Sequence, residues 1–312
     1  MNSTHPKPQL LPNLVIAGAP KSGTSSVHDW LADHPEVMGS EPKETYYFVD
    51  PGSHMHDPQN HIENGLAGYA RFFPRHAGSG TRVVVESTPG YLYYRTALEG
   101  LHALPSEPRI LFILREPAAQ IYSSFTYWQT NWDWIPSDMS FGEFLQAVRN
   151  GTHSFKGNEL AANAIAYASY CDHLLQWRER FGDERIKIML FDQVAADQLG
   201  LMKELASWLG IDPQFYDSYD FPRANETYAV RSPAIQKINM AVRRFLLPLG
   251  GVYGALRSIY RALNTTRPAG PSPEDRILMD NLRAEFGPAN AKLAKAFGLD
   301  LSNWATPGKQ AT

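Results

Sequence analysis

Four short apolar runs rich in β-branched residues stand out along the chain, at Leu14–Ala17, Arg82–Glu86, Arg109–Leu114 and Arg185–Phe191. Each is bounded by polar or turn residues, which predicts a buried strand. Between and after them, apolar positions take helical spacing over Ser25–His34, Pro117–Trp128, Phe141–Arg149, Ala161–Phe181 and Leu199–Leu209, the last closed by Gly210. Strands alternating with helices of this length predict an α/β fold, a central parallel β-sheet flanked by helices on both faces. Two segments read as peripheral: Asp50–Gly68, rich in His, Pro, Gly and Asn, and Thr265–Pro273, with its prolines. There is no internal repeat and no low-complexity block.

Composition narrows the class. The chain has 312 residues, 43% of them hydrophobic, enough for one large core or two modest ones. A formal net charge of -3 gives no global basic field, and no long basic patch is present, so no nucleic-acid partner is expected. The single cysteine, Cys171, excludes an internal disulfide framework and a multi-cysteine zinc site and suits a reducing compartment. The stretch Met1–Pro12 carries too much proline and polar content for a signal-peptide apolar region. No run reaches the ~18 apolar residues of a membrane helix. The expected location is therefore cytoplasmic. Between Ile238 and Arg261 apolar residues alternate with Arg243, Arg244, Arg257 and Arg261. The expectation there is a helix pair with solvated arginines, with peripheral membrane contact through 238–261 as the alternative.

The chemistry concentrates first in Leu14-Val-Ile-Ala-Gly-Ala-Pro-Lys-Ser-Gly-Thr-Ser-Ser26, which runs from a strand through a Gly/Pro turn into a helix. That arrangement offers unpaired backbone N–H groups and the positive end of a helix dipole to an anion. Gly23 lets the backbone approach closely. Ser22, Thr24, Ser25 and Ser26 contribute hydroxyls, and Lys21 a full charge. Gly18 and Gly23 have Walker A spacing, but that motif needs Lys and Ser/Thr directly after the second Gly. Here Lys21 precedes Gly23 by two residues and Thr24 follows it. A second anion site is suggested by Arg109-Ile-Leu-Phe-Ile-Leu-Arg-Glu-Pro-Ala-Ala-Gln-Ile-Tyr-Ser123, which places Arg115 at a strand end, Pro117 at the start of the next helix and Ser123 about two turns along it. Arg115 can grip a phosphate through parallel donors, and Ser123 can add a hydroxyl.

Ala19-Pro-Lys-Ser-Gly-Thr-Ser-Ser26, followed by Leu31-Ala-Asp-His-Pro35 and Lys43-Glu-Thr-Tyr-Tyr-Phe48, resembles the 5′-phosphosulfate loop of the sulfotransferases that use 3′-phosphoadenosine 5′-phosphosulfate (PAPS). The likeness is to the branch containing bacterial enzymes and the heparan sulfate sulfotransferases. Arg115-Glu-Pro117 with Ser123 resembles the family's 3′-phosphate motif. Phe286-Gly-Pro-Ala-Asn290 and Phe297-Gly-Leu-Asp-Leu-Ser-Asn-Trp304 resemble the C-terminal end of the carbohydrate branch. The resemblance implies a P-loop-like sulfotransferase fold in one domain over 12–305. It also implies PAPS as sulfuryl donor, no metal, and a carbohydrate or small-molecule alcohol as acceptor, with hydroxyl ranked ahead of amine. The family's Gly-rich basic loop near the C-terminus is absent in its standard form. Asn225-Glu-Thr-Tyr-Ala-Val-Arg-Ser232 stands there, and Arg231 is the candidate for its charge.

A sulfuryl transfer needs a group to deprotonate the acceptor. Glu86, in Val83-Val-Val-Glu-Ser-Thr-Pro-Gly-Tyr91, stands at the carboxyl end of a predicted buried strand, where open α/β sheets bind their ligands and where burial raises a carboxyl pKa toward a useful range. The glycosaminoglycan branch carries Glu-Lys-Thr-Pro at the matching place, with the glutamate as base. Ser87 replaces that lysine here, and Lys43 is the candidate substitute. His102 is the competing base. His54, His56, Asp57 and His61 have a spacing that could ligate a metal, although a solvated loop is the expectation because no strand or helix frames them. Tyr122, Phe125, Tyr127, Trp128, Trp132 and Trp134 crowd the end of the helix after Arg115, some as core and some as a surface for the acceptor. Two other functions compete. A P-loop kinase or nucleotide hydrolase would use Lys187-Ile-Met-Leu-Phe-Asp192 as a Walker B-like strand and would need Mg²⁺. A catalytically silent nucleotide- or sugar-binding protein would gain nothing from a carboxylate at Glu86.

Overall fold

The computed structural model describes residues 10–73, 80–222, 229–230, 265–266 and 270–304. Five strands form a wholly parallel sheet in the order β2-β3-β1-β4-β5: β1 (Leu14–Gly18), β2 (Val37–Gly39), β3 (Val83–Ser87), β4 (Arg109–Leu114) and β5 (Ile186–Leu190). The four predicted strands are all present, and β2 is an additional short edge strand. A separate antiparallel pair joins β6 (Ala229–Val230) to β7 (Thr265–Thr266).

The helices are α1 (Thr24–Ala32), α2 (Gly65–Ala70), α3 (Arg95–His102), α4 (Pro117–Asn131), α5 (Phe141–Asn150), α6 (Glu159–Ala162), α7 (Ala164–Tyr167), α8 (Tyr170–Phe181), α9 (Phe191–Ala196), α10 (Gln198–Leu209) and α11 (Pro273–Phe297). The single helix predicted over Ala161–Phe181 is thus three. Asn158 caps the first through its side chain, and Ser169 leaves helical geometry before Tyr170. The segment Asp50–Gly68 is less peripheral than its composition suggests. His61 is almost fully buried and faces the Val49 carbonyl at 3.0 Å, and Asn60 donates to the Thr45 carbonyl at 2.8 Å.

Alternation along the buried strands gives the sheet two apolar faces. Val15, Ala17, Ile110, Phe112 and Leu114 pack with Tyr91, Tyr170 and Trp177 on one side. Leu14, Ile16, Leu111 and Ile113 pack with Val27, Trp30, Met202 and Leu205 on the other. A third cluster joins α4 and α5 to Met279, Leu282 and Phe286 of α11.

Because every strand runs the same way, the carboxyl ends of β1, β3 and β4 share one edge of the sheet. The chain leaves β1 toward β2 and leaves β4 toward β5, so the topological switch lies between β1 and β4. Open α/β sheets bind ligands in the crevice that such a switch creates.

Candidate active site

The two predicted anion sites flank that crevice. After β1 the chain turns through residues 19–23, with the Ala19 amide donating to the Ile113 carbonyl at 2.8 Å. Lys21 has φ 61 and Gly23 φ 81, both left-handed. At Gly23 a side chain is blocked twice, by this backbone and by Phe191, whose Cδ2 would lie 2.9 Å from an added Cβ. Gly23 is also the N-cap of α1, so no side chain covers the first turn of that helix. The amides of Thr24, Ser25 and Ser26 therefore keep their capacity for an anion. Ser22 is fully buried and donates to the Pro20 carbonyl at 3.4 Å, which commits it to the turn itself. Thr24 is buried, and Ser25 and Ser26 are half-buried.

Lys21 reaches back over the Tyr127 ring, its Nζ 3.9 Å from the centroid. Burial, the Arg115 charge and Lys43 push its pKa down to about 8, against a raising influence from Glu44. Arg115 donates through Nη1 to the Lys21 carbonyl at 3.2 Å and lies over the Phe191 ring at 4.8 Å. Two neighbouring cations in a desolvated crevice are stabilised by an anion between them.

The helix after Arg115 differs from α1 at its start. Glu116 folds back onto α4, accepting from the Ala118 amide at 2.8 Å and the Ala119 amide at 2.9 Å. Its third partner is Arg283 of α11 at 3.3 Å. The dipole end of α4 is thus already occupied. An anion at this second site would depend on the side chains of Arg115 and the half-buried Ser123. Gln120, one turn along, ties the loop after β1 to this helix by donating to the Pro20 carbonyl and to Ser124, both at 3.1 Å. Asp192, the Walker B-like acid, sits in the field of Arg115, and burial pushes its pKa up against that charge.

Glu86 is fully buried next to β1, in register with Val15. Its Oε1 accepts from Thr88 Oγ1 at 2.5 Å, Thr45 Oγ1 at 3.2 Å and the Thr45 amide at 3.4 Å. Its Oε2 is buried with no hydrogen-bond partner. Burial pushes its pKa up to about 7, against the pull of the two threonines and of the Lys43 charge. Lys43 lies 3.0 Å from Glu44 Oε1 as an ion pair. Its Nζ is nonetheless buried without a hydrogen bond of good geometry. The Lys43 charge acts on Glu86, Lys21 and His28 together, which puts it among the groups at this edge. Ser87, where the resemblance calls for lysine, faces His28 Nδ1 at 3.1 Å. Burial and Lys43 push the His28 pKa down to about 3.

The other candidates separate from this edge. His102 ends α3, edge-on to Phe181 at 5.4 Å and 3.5 Å from Arg185, which precedes β5. It therefore lies toward the amino ends of the strands, away from Glu86. His54 faces Glu159 at 2.7 Å and His61 faces Val49, and among the described residues no group of three metal-ligating side chains comes together. Phe125 and Trp128 are core residues, whereas Tyr122, Tyr127, Trp132 and Trp134 are partly exposed, the two tryptophans stacked at 4.8 Å. Arg231 and the segment 238–261 lie outside the described residues. The residues that sequence reasoning missed, Thr45, Thr88, Glu44, Gln120 and Glu116, stand within or beside the motifs but carry no signal of their own.

This combination of a parallel sheet, an uncapped helix behind a Lys-Ser-Gly turn and a buried carboxylate on the neighbouring strand coincides with a known domain. The sulfotransferase domain family matches residues 11–226, well over half of the chain, and the protein belongs to that family. Human heparan sulfate glucosamine 3-O-sulfotransferase 6 is 25% identical over 212 residues, 66% of this chain and 55% of the relative. Human bifunctional heparan sulfate N-deacetylase/N-sulfotransferase 3 is 22% identical over 210 residues, 66% of this chain and 23% of the relative. The chain thus spans about half or less of the length of these curated relatives. A crystallised sulfotransferase from Alicyclobacillus acidocaldarius superposes with a TM-score of 0.64 at 22% identity, over 95% of this chain and 100% of that one, and shares its fold.

Proposed function

We propose that the protein transfers a sulfuryl group from PAPS to a hydroxyl, ahead of an amine, on a carbohydrate or other small alcohol. The observation that carries this reading is Glu86 Oε2, a buried and unpartnered carboxylate oxygen at the same sheet edge as two desolvated cations and an uncapped helix. The chain supplies what the donor requires. The open amides of α1 and Lys21 suit the 5′-phosphosulfate, and Arg115 with Ser123 suits the 3′-phosphate. Glu86 takes the acceptor proton, and a pKa near 7 keeps it both ionised and basic at neutral pH. The oxygen so activated attacks sulfur in line, the bond from sulfur to the bridging phosphate oxygen breaks, and Lys21 stabilises the charge that develops on that phosphate. Lys43 adds positive charge on the sulfuryl side, in the role left by Ser87. Arg231 is proposed as a third phosphate contact. One domain over 12–305, acting in the cytoplasm, completes the proposal.

The deciding experiment presents labelled PAPS and a panel of saccharides, lipids and small alcohols to the unmodified protein and to Glu86→Gln. Transfer to at least one acceptor, lost in the variant while PAPS affinity is kept, supports the reading. Transfer undiminished in the variant would move the base elsewhere, and no transfer to any acceptor would favour a silent binding protein.

A further inference from the structure

Resting on that reading, we propose that Thr45 and Thr88 are positioning residues that divide the two oxygens of Glu86, reserving Oε1 for structure and leaving Oε2 as the sole proton acceptor. A hydroxyl has one proton and two lone pairs, whereas a backbone N–H can only donate. Thr88 Oγ1 receives the Thr45 amide at 3.1 Å, shared with Glu86 Oε1 at 3.4 Å, and the Tyr46 amide at 3.4 Å, which occupies its lone pairs. Its one proton goes to Glu86 Oε1 at 2.5 Å. Thr45 Oγ1 receives the Tyr47 amide at 3.3 Å and, with its own proton on Oε1, must also be the acceptor from Tyr91 at 3.1 Å. Tyr91 in turn receives the Phe48 amide at 3.3 Å.

Backbone amides of residues 45–48 thus occupy acceptor sites on all three hydroxyls, both threonine protons go to Oε1, and the Tyr91 proton goes to Thr45 Oγ1 behind them. A proton placed on Oε1 would find no acceptor among these groups, because both threonine oxygens are already filled. The proton of the neutral acid resides on Oε2, and the acceptor's proton must arrive there. The same donors favour the carboxylate, which offsets burial and keeps the acid usable at neutral pH. The consequence is a base with one working face and no relay behind it.

The test is the pH dependence of transfer in Thr88→Val, Thr45→Val and Thr88→Ser. Loss of a donor disfavours the carboxylate. Thr88→Val should therefore displace the acidic limb of the kcat/KM profile to higher pH by roughly one unit, a several-fold to tenfold loss at pH 6.5 that shrinks above pH 9. Thr88→Ser should restore the limb. A Thr88→Val profile lowered equally at every pH, with the limb unmoved, would make the threonine merely structural and overturn the proposal. Should valine prevent folding, Tyr91→Phe removes only the far end of the network and should shift the limb the same way by less. The carboxyl titration itself, read by infrared difference against Glu86→Gln, needs no turnover. It should show the same displacement even if no acceptor is ever sulfated, and an unmoved titration would overturn the proposal while leaving the functional reading untouched.

Discussion

Glu86 and Glu159 are both hydrogen-bonded carboxylates, and their pKa values are shifted in opposite directions. Glu159 opens α6 and is satisfied on both oxygens. Oε1 accepts from Ser53 at 2.7 Å and Tyr94 at 2.6 Å, and Oε2 from the His54 amide at 2.9 Å, with His54 Nδ1 at 2.7 Å. Burial pushes its pKa up, but the donors on His54, Tyr94 and Ser53 outweigh it and hold the carboxyl at about 2. Glu86 has its donors on one oxygen only and is fully buried, so desolvation wins and its pKa rises to about 7. What separates a structural carboxylate from a candidate base here is how the donors are distributed between the oxygens, together with access to water.

The two carboxylates should differ most in turnover. Glu86→Gln should lower kcat by roughly 10²–10⁴ with PAPS affinity little changed, whereas Glu159→Gln should keep kcat within about tenfold. Equal losses in single-turnover assays would erase the distinction.

Stability against pH should separate the two next. Below the unfolded pKa near 4.5 Glu86 is neutral in both states and costs nothing. As pH rises toward 7 only the unfolded chain ionises, so stability falls and then levels off. Glu86→Gln removes that loss and should be the more stable protein at pH 8 by on the order of 3 kcal/mol in denaturant melts. Glu159 has the opposite sign: its contribution is present above about 4.5 and disappears as pH falls through 2. Glu159→Gln should cost roughly 1–2 kcal/mol at pH 7, reduced by solvent screening, and the difference should close in acid.

The same contrast applies to two arginines. Arg283 is held by Glu116 and Asp280, while Arg115 donates to a backbone carbonyl on the loop it faces. Adenosine 3′,5′-bisphosphate should bind more tightly than AMP, and Arg115→Ala should remove that preference, worth about 1.5–3 kcal/mol by calorimetry. Equal affinities in the unmodified protein would reassign Arg115. The smallest effect belongs to His102→Ala, which should leave turnover within about twofold, since that imidazole lies toward the opposite end of the sheet.

The strands, the Gly-bounded turn after β1 and the place of Glu86 at a strand end were legible because each depends on local order. The threonine network was not, because Thr45 and Glu86 are 41 residues apart and meet only when β3 pairs beside the loop after β2. Arg115 was legible, but the closure of its helix terminus by Glu116 and Arg283 was not, since that tie crosses 167 residues. α11 was not among the helices read from the sequence, although its start, Ser272-Pro-Glu-Asp, forms a capping box. Its passage through Gly287 and Pro288 runs against the ordinary expectation that proline ends a helix. Burial of Met279, Leu282, Phe286 and Leu293 on either side explains how it continues.

The tie between Glu116 and Arg283 also bears on where this protein can be cut. The family match ends at residue 226, yet the partner that neutralises Glu116, and the apolar stripe that covers α4 and α5, come from 273–297. A fragment trimmed to the matched span would retain every residue of the turn after β1. It would also leave the buried Glu116 without its arginine at the mouth of α4 and a hydrophobic flank open to water. The boundary of recognisable sequence and the boundary of a self-sufficient folding unit do not coincide here, and any chimera that exchanges acceptor regions has to carry the distal helix with it.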